Sequence, residues 1–519
     1  MTAVTGTPAA ARQNPRRWWA LGALVASMLV LGFDMTILNV ALPTMAGQLD
    51  ADTGEQQGMA DAYVVVFAAL MLPAGLLGDR FGRRRMLMTG LGVFLAGSVL
   101  GALAHDVSLV VAARAVMGLG GALVMPLALA VLPALFGPGE RTKAVGVVSA
   151  AAALGAPLGP VVGGWLLDHF WWGSIFLINV PMAAIGLTAC AFLLPETRDP
   201  SSPAVDVLST ALTAAGLGAL VHAVIEAPAR GWGDPLVLGT SAGAALLLTA
   251  LVLRERRMTR PMLDLALLRD RGFCLHTLAA TLVMFVLSGL MFVLPPYLQA
   301  VEGNDAFGAG MRILPMMGGL IVAAKGAEPV VRRFGARAVI SGGLVVLAFA
   351  AILGSRTDLH SGYGFTALWL SVAGLGFGFA IVPAMDAALG ALPVERAGSG
   401  TGLLMTVRQV GGALGIALLG SLLASAYTRG LDTGGLPGAP ADAAGESVIA
   451  AHAVAERLGS ARLAASADAA YVHGMGLVLL VSGVAALVAA LLVAALLPRS
   501  GDGPAPRPAM GTAEDDARQ

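Results

Sequence analysis

Charge is what this sequence has least of. Only 12% of its 519 residues are Asp, Glu, Lys or Arg, against roughly 25% in soluble domains. Lysine is almost missing: Lys143 and Lys325 are the only two. The formal net charge is zero, so nothing calls for a polyanionic partner and no nucleic-acid binding is expected. The two cysteines, Cys190 and Cys274, leave no disulfide framework and no metal-ligand spacing. Each lies in an apolar run, where a lone thiol serves as a small packing group. The chain also lacks a phosphate-cradling Gly-rich loop, a nucleophile triad and a metal cluster. Neither ATP hydrolysis nor other enzyme chemistry is expected, and no cofactor.

Apolar residues are abundant instead, at 57%, with a mean hydropathy of +0.80. They come in blocks of about 20, the length that crosses a ~30 Å hydrocarbon core. Only helices and closed barrels satisfy their backbone groups in lipid, and barrel strands alternate polar and apolar residues. Stretches such as Leu21–Val30 and Leu477–Leu497 are apolar on every face, so they predict helices. Arg12, Arg16 and Arg17 precede an apolar stretch reaching Pro43. That is too long for a signal peptide and predicts a retained first span.

Fourteen spans are predicted, at about 18–43, 58–78, 86–104, 108–135, 143–166, 174–194, 205–226, 236–253, 273–299, 308–330, 337–354, 364–390, 400–425 and 471–497. Lys and Arg favour cytoplasmic loops. With the N-terminus inside, 23 of the 32 basic residues fall on the cytoplasmic side. Only Arg230, Arg312, Arg356, Arg429, Arg457 and Arg462 fall outside, and Arg114, Lys325 and Arg408 lie within spans. An even count with both termini inside fits this register. Arg80-Phe81-Gly82-Arg83-Arg84 after span 2 is echoed by Arg333-Phe334-Gly335-Ala336-Arg337 after span 10, a weak internal repeat of the kind duplicated transporters carry. The resulting plan is an all-α polytopic membrane protein. Residues 1–17 form a cytoplasmic segment, 18–200 a six-helix half, and 201–260 two inserted spans. Residues 261–499 form the second six-helix half, with a long external loop at 426–470 that holds a surface helix near 447–466. The tail, 500–519, is expected to be disordered.

Several motifs carry chemistry. Gly75-Leu76-Leu77-Gly78-Asp79-Arg80-Phe81-Gly82-Arg83-Arg84-Arg85 joins spans 2 and 3. Its glycines allow a tight turn, and Asp79 can accept from a helix N-terminus or pair with an arginine. Gly75, Asp79, Arg80, Gly82 and Arg83 are therefore candidates for conformational gating. The pattern resembles the signature loop of the major facilitator superfamily. In span 5, Gly146, Gly155, Gly159, Pro160 and Gly163 suit close helix packing and a bend. They resemble that superfamily's antiporter motif, which implies export, and Gly159 with Pro160 is expected to shape a tight contact between the halves. Asp34 lies deep in span 1, where a carboxylate costs about 2.5–3.5 kcal/mol; Asp34-Met35-Thr36-Ile37-Leu38-Asn39 resembles the first-helix motif of 14-span drug:proton antiporters. Arg114-x3-Gly118-x-Gly120-Gly121 resembles their fourth-helix motif, whose arginine is tied to proton coupling. Met117 stands where many relatives carry Gln.

Asp61, near the outer mouth, and Asp386, in span 12, are further candidate acids. Arg408 is expected to pair with Asp386 or line the pathway. Glu328 and Lys325 read as an intrahelical ion pair. Trp172-Gly173-Ser174 resembles exporters of quaternary ammonium compounds and methyl viologen. Together these resemblances imply a monomeric, proton-gradient-driven exporter of amphipathic, cationic small molecules in a bacterial plasma membrane. Export of a self-made antibiotic uses the same machinery, and a non-transporting membrane sensor is the rival from another class. The charge register makes a direct prediction. Tags after Arg141, Arg257 and Pro498 are cytoplasmic and a tag near Gly435 is external. Labelling of the Gly435 site from the cytoplasmic side alone overturns it.

Overall fold

A backbone surrounded by lipid has no water to bond with, so it closes its hydrogen bonds within helices. The computed structural model follows this rule. It describes residues 16–49, 51, 53–198, 206–258, 267, 270–392, 397–433, 435–436 and 438–497, and among these there is no strand. The segment before Arg16, the residues Pro393 and Arg396, and the tail lie outside the described residues.

The helices are α1 (Arg16–Leu49), α2 (Thr53–Phe81), α3 (Arg83–Ala102), α4 (Val107–Ala130), α5 (Leu132–Leu135), α6 (Pro138–His169), α7 (Ser174–Leu177), α8 (Asn179–Leu193), α9 (Val207–Arg230), α10 (Pro235–Arg257), α11 (Arg271–Pro296), α12 (Ala306–Gly354), α13 (Tyr363–Gly390), α14 (Ala397–Gly430), α15 (Gly438–Glu446), α16 (Val448–Leu458) and α17 (Ala461–Leu496). Asp106, Asp234, Asp270 and Asp305 each accept a first-turn backbone N–H at the start of α4, α10, α11 and α12, the usual remedy for orphan donors at a helix start.

Twelve of the described helices are long and apolar enough to cross a membrane, two fewer than the fourteen expected. The difference has two sources. Expected spans 10 and 11 run together as α12, which is broken at Gly335. Expected span 5 is α6, a 32-residue helix outside the twelve.

The weak sequence repeat is a structural one. Gly82 between α2 and α3 has φ 108°, and Gly335 within α12 has φ 81°, values that glycine adopts without a Cβ penalty. Arg80 lies 5.7 Å from the Phe81 ring centroid, and Arg333 lies 5.4 Å from that of Phe334. Two residues past each glycine, an arginine donates to a carbonyl near the end of another helix: Arg84 to Ala191 of α8, Arg337 to Ala494 of α17. Cations suit helix C-termini. The unit of α2, α3 and α8 thus recurs as the two arms of α12 with α17.

Between these units, α9 and α10 form a hairpin that touches the bundle through α9, against both α2 and α14. The Ser209 hydroxyl closes its base, 2.5 Å from Glu255 Oε1 and 2.8 Å from Asp206 Oδ2, with one proton for the two carboxylates. Hydrogen bonds from Ser209 and Arg254 hold the Asp206 carboxyl below its ordinary range. The expected surface helix near 447–466 is shorter than predicted. Gly459, with φ 62°, ends α16, and Ser460 caps α17, which starts ten residues before the expected span. Tyr427 donates to the Ala444 carbonyl and Tyr471 to that of Val293, tying this segment down.

The α6 glycines correct one expectation. Gly155, Gly159 and Gly163 do not bridge the halves. A Cβ on Gly155 would collide with the Gly32–Phe33 backbone, one on Gly159 with Thr36 and Ile37, and one on Gly163 with Ile37. These residues belong to α1, in the same half. Only Gly146 reaches the other half, facing Ala324 of α12 and Val382 of α13. Pro160 lies in the same helix. Gly155→Leu should therefore lower the thermal stability of the purified protein by several degrees, since overpacking costs about 1–3 kcal/mol. Gly164→Leu, where a Cβ meets open space on the same helix, should not; an equal loss in both refutes the packing account.

Candidate transport site

Asp34 is the centre of a buried polar knot. It sits on the stretch of α1 gripped by Gly155 and Gly159, and it is 1% exposed. Arg114 of α4 donates to Asp34 Oδ2 at 2.8 Å, and Asn179, the first residue of α8, donates to Oδ1 at 2.9 Å. The Arg114 guanidinium lies 4.4 Å from the Tyr63 ring centroid, and Tyr63 stacks on Phe67. A cation over a desolvated aromatic face gains about 2 kcal/mol. The Arg114 Nε, the Asn179 Oδ1 and the Tyr63 hydroxyl have no hydrogen-bond partner among the described residues. Met117 packs against Gly97 of α3, so its place in the motif serves helix contact.

Two latches join the halves at the face carrying the α2–α3 turn. Asp79 accepts from Arg83 Nη2 at 2.8 Å, from Gly398 N at 2.8 Å and from Ser399 N at 2.6 Å. It thus takes both partners that the sequence allowed it, an arginine and the N-terminus of α14. The approach needs glycine: a Cβ on Gly75 would strike Gly398, and one on Gly398 would strike Asp79. The second latch pairs Arg141, at the start of α6, with Asp386 of α13 at 2.5 Å, while Thr142 donates to Asp386 Oδ2 at 2.6 Å.

Asp386 is therefore taken by Arg141, and of the two roles expected for Arg408 the pairing with Asp386 is not formed. Arg408, in α14, has only the Met385 sulfur near its Nη1, at 4.0 Å, and its Nε has no partner among the described residues. Glu328 pairs with Arg332 at 3.8 Å rather than with Lys325; the i+4 step places the longer arginine over it. Asp61 is partly buried in α2. Trp172 is buried, its ring edge-on to Phe176. Sequence reasoning gave no role to Asn179, Tyr63, Arg141 or Thr142. The only signal available was that a buried carboxylate requires donors.

The family model described as Major Facilitator Superfamily matches residues 24–416, and the chain belongs to that family of membrane transporters. It is 33% identical over 500 residues to the tetracenomycin C resistance and export protein of Streptomyces glaucescens, covering 94% of this chain and 93% of that one. It is 33% identical over 506 residues to the multidrug efflux pump LfrA of Mycolicibacterium smegmatis, covering 95% and 98%. The methyl viologen resistance protein SmvA of Salmonella typhimurium is 30% identical over 419 residues, covering 80% and 84%. In fold, the chain resembles the crystal structure of the human organic anion transporter MFSD10 (TETRAN), with a TM-score of 0.58 at 17% identity, covering 91% of this chain and 100% of that one.

The latch geometry makes a prediction. Breaking one partner of a buried pair costs about 3–5 kcal/mol, enough to shift a two-state equilibrium by roughly a hundredfold or more. Spin labels replacing the exposed Phe81 and Phe334 should report a longer, broader distance distribution in Asp79→Asn than in the otherwise unchanged protein. Identical distributions would show that the latch does not hold the halves together.

Proposed function

We propose that the chain is a proton-coupled antiporter that exports amphipathic drug-like compounds across a bacterial plasma membrane. It acts as a monomer and uses the proton gradient with no cofactor. The observation that carries this reading is the buried Asp34–Arg114 pair at 2.8 Å, with Asn179 on the other oxygen. A proton on Asp34 cancels the charge that holds Arg114, so protonation and pairing are alternatives. Fourteen spans follow if the arms of α12 on either side of Gly335 count separately and α6 is added to the helices of sufficient hydropathy. That even count keeps the charge register and puts both termini in the cytoplasm.

Helix α6 supplies the mechanical link. Its glycines grip the α1 stretch that carries Asp34, while Gly146 and Arg141 near its other end touch the second half. A change in the Asp34–Arg114 pair shifts α1, and α6 transmits the shift to the Arg141–Asp386 latch. Proton arrival from outside and substrate arrival from the cytoplasm then favour opposite arrangements of the halves, which is alternating access. The likeness to an export protein named for tetracenomycin C favours a second reading of the cargo, a metabolite made by the same cell.

The test is substrate-induced proton release from purified protein. Wild type should release protons on binding an exported compound, and Asp34→Asn should release none. Asp34→Glu should keep part of the response with a displaced pH optimum. Arg114→Lys keeps the charge but loses the planar donor fork, and should be strongly impaired. Equal release from wild type and Asp34→Asn would assign the proton to another carboxylate, Asp386 or Asp61 being next.

A further inference from the structure

Among the described residues, Arg408 lies deep in a span without a counter-charge. Asp34 is occupied by Arg114 and Asn179, Asp79 by Arg83 and the start of α14, and Asp386 by Arg141 and Thr142. Arg408 has no carboxylate within ion-pairing distance among the described residues. It stands eleven residues into α14, about 16 Å from the start of the helix, near the middle of a ~30 Å hydrocarbon core. The other faces of α14 are spoken for: Gly398 and Gly402 close on α2, while Gly411, Gly412 and Gly415 close on α11. The guanidinium instead reaches toward Met385 of α13, inside the second half.

We propose that Arg408 is a recognition point for an anionic oxygen of the transported compound, a carboxylate, phenolate or enolate on an apolar body. This rests on the exporter reading and deepens it, and it runs against the cationic substrate that the sequence resemblance implied. A guanidinium presents donors in a rigid fork that matches such oxygens. A half-buried cation whose Nε is shut away with no protein partner among the described residues is the arrangement that a substrate anion completes. The Met385 sulfur beside it is soft and polarizable, on a side chain that adapts to varied apolar shapes.

The test uses two dyes built on one ring system, the anion fluorescein and the cation rhodamine 123. Their binding to the full chain in nanodiscs is followed by fluorescence anisotropy at pH 8. Wild type should bind fluorescein, and Arg408→Gln should lower the fluorescein-to-rhodamine affinity ratio at least fivefold, with Arg408→Lys in between. A smaller change in that ratio, or no fluorescein binding by wild type, overturns the proposal. Should Arg408→Gln fail to fold, Met385→Glu sets a carboxylate beside the guanidinium and should displace fluorescein, whereas Met385→Gln should not; equal binding by both overturns it as well. Dye movement in proteoliposomes under an imposed pH gradient is measured separately. If wild type moves neither dye, the exporter reading fails, while the binding ratio still reports on Arg408.

Discussion

In hydrocarbon an ionised side chain must bring its counter-charge with it, and this chain has few charges to use. It places them in pairs at the points where helices have to be held. Asp34 with Arg114 joins α1 to α4, and Asn179 adds α8. Asp79 joins α2 to α14, and Arg141 joins α6 to α13. The last two cross between the halves. Most of the other helix contacts are apolar or small, and apolar packing alone does little to choose among helix arrangements when lipid is equally apolar. The pairs select the arrangement, and glycines permit the approach that the pairs require.

This division of labour explains what could be read from the sequence. Helical spans follow from local hydropathy, and Asp79's two kinds of partner follow from its chemistry. The loop repeat was legible because Gly82 and Gly335 both need left-handed backbone. Partner identity was not legible where it depends on distance through space. Arg141 and Asp386 are 245 residues apart, and nothing local marks either for the other. The same blindness misplaced the α6 glycines. A small-residue stripe shows that something comes close, but not that the neighbour is α1. Asn179 was hidden for the opposite reason, since an amide next to a helix start reads as an ordinary cap.

The two units match in their turns yet differ in their latches. Position for position, the place of Asp79 in the first unit is held by Arg332 in the second, three residues before the glycine in each case. The second unit's cross-link therefore runs through Asp386, on a different helix. The turn recurs in both units, and the charges that join the halves are arranged asymmetrically upon that repeat.

The α9–α10 hairpin adds another asymmetry. Helix α9 lies along the line where α2 meets α14, and α10 is mostly exposed beside it. Along the opposite line, where α6 meets α12, no helix among the described residues plays that part. The two flanks therefore present different borders to the bilayer. A solute dissolved in the acyl chains meets a curtained border on one flank and an uncurtained one on the other.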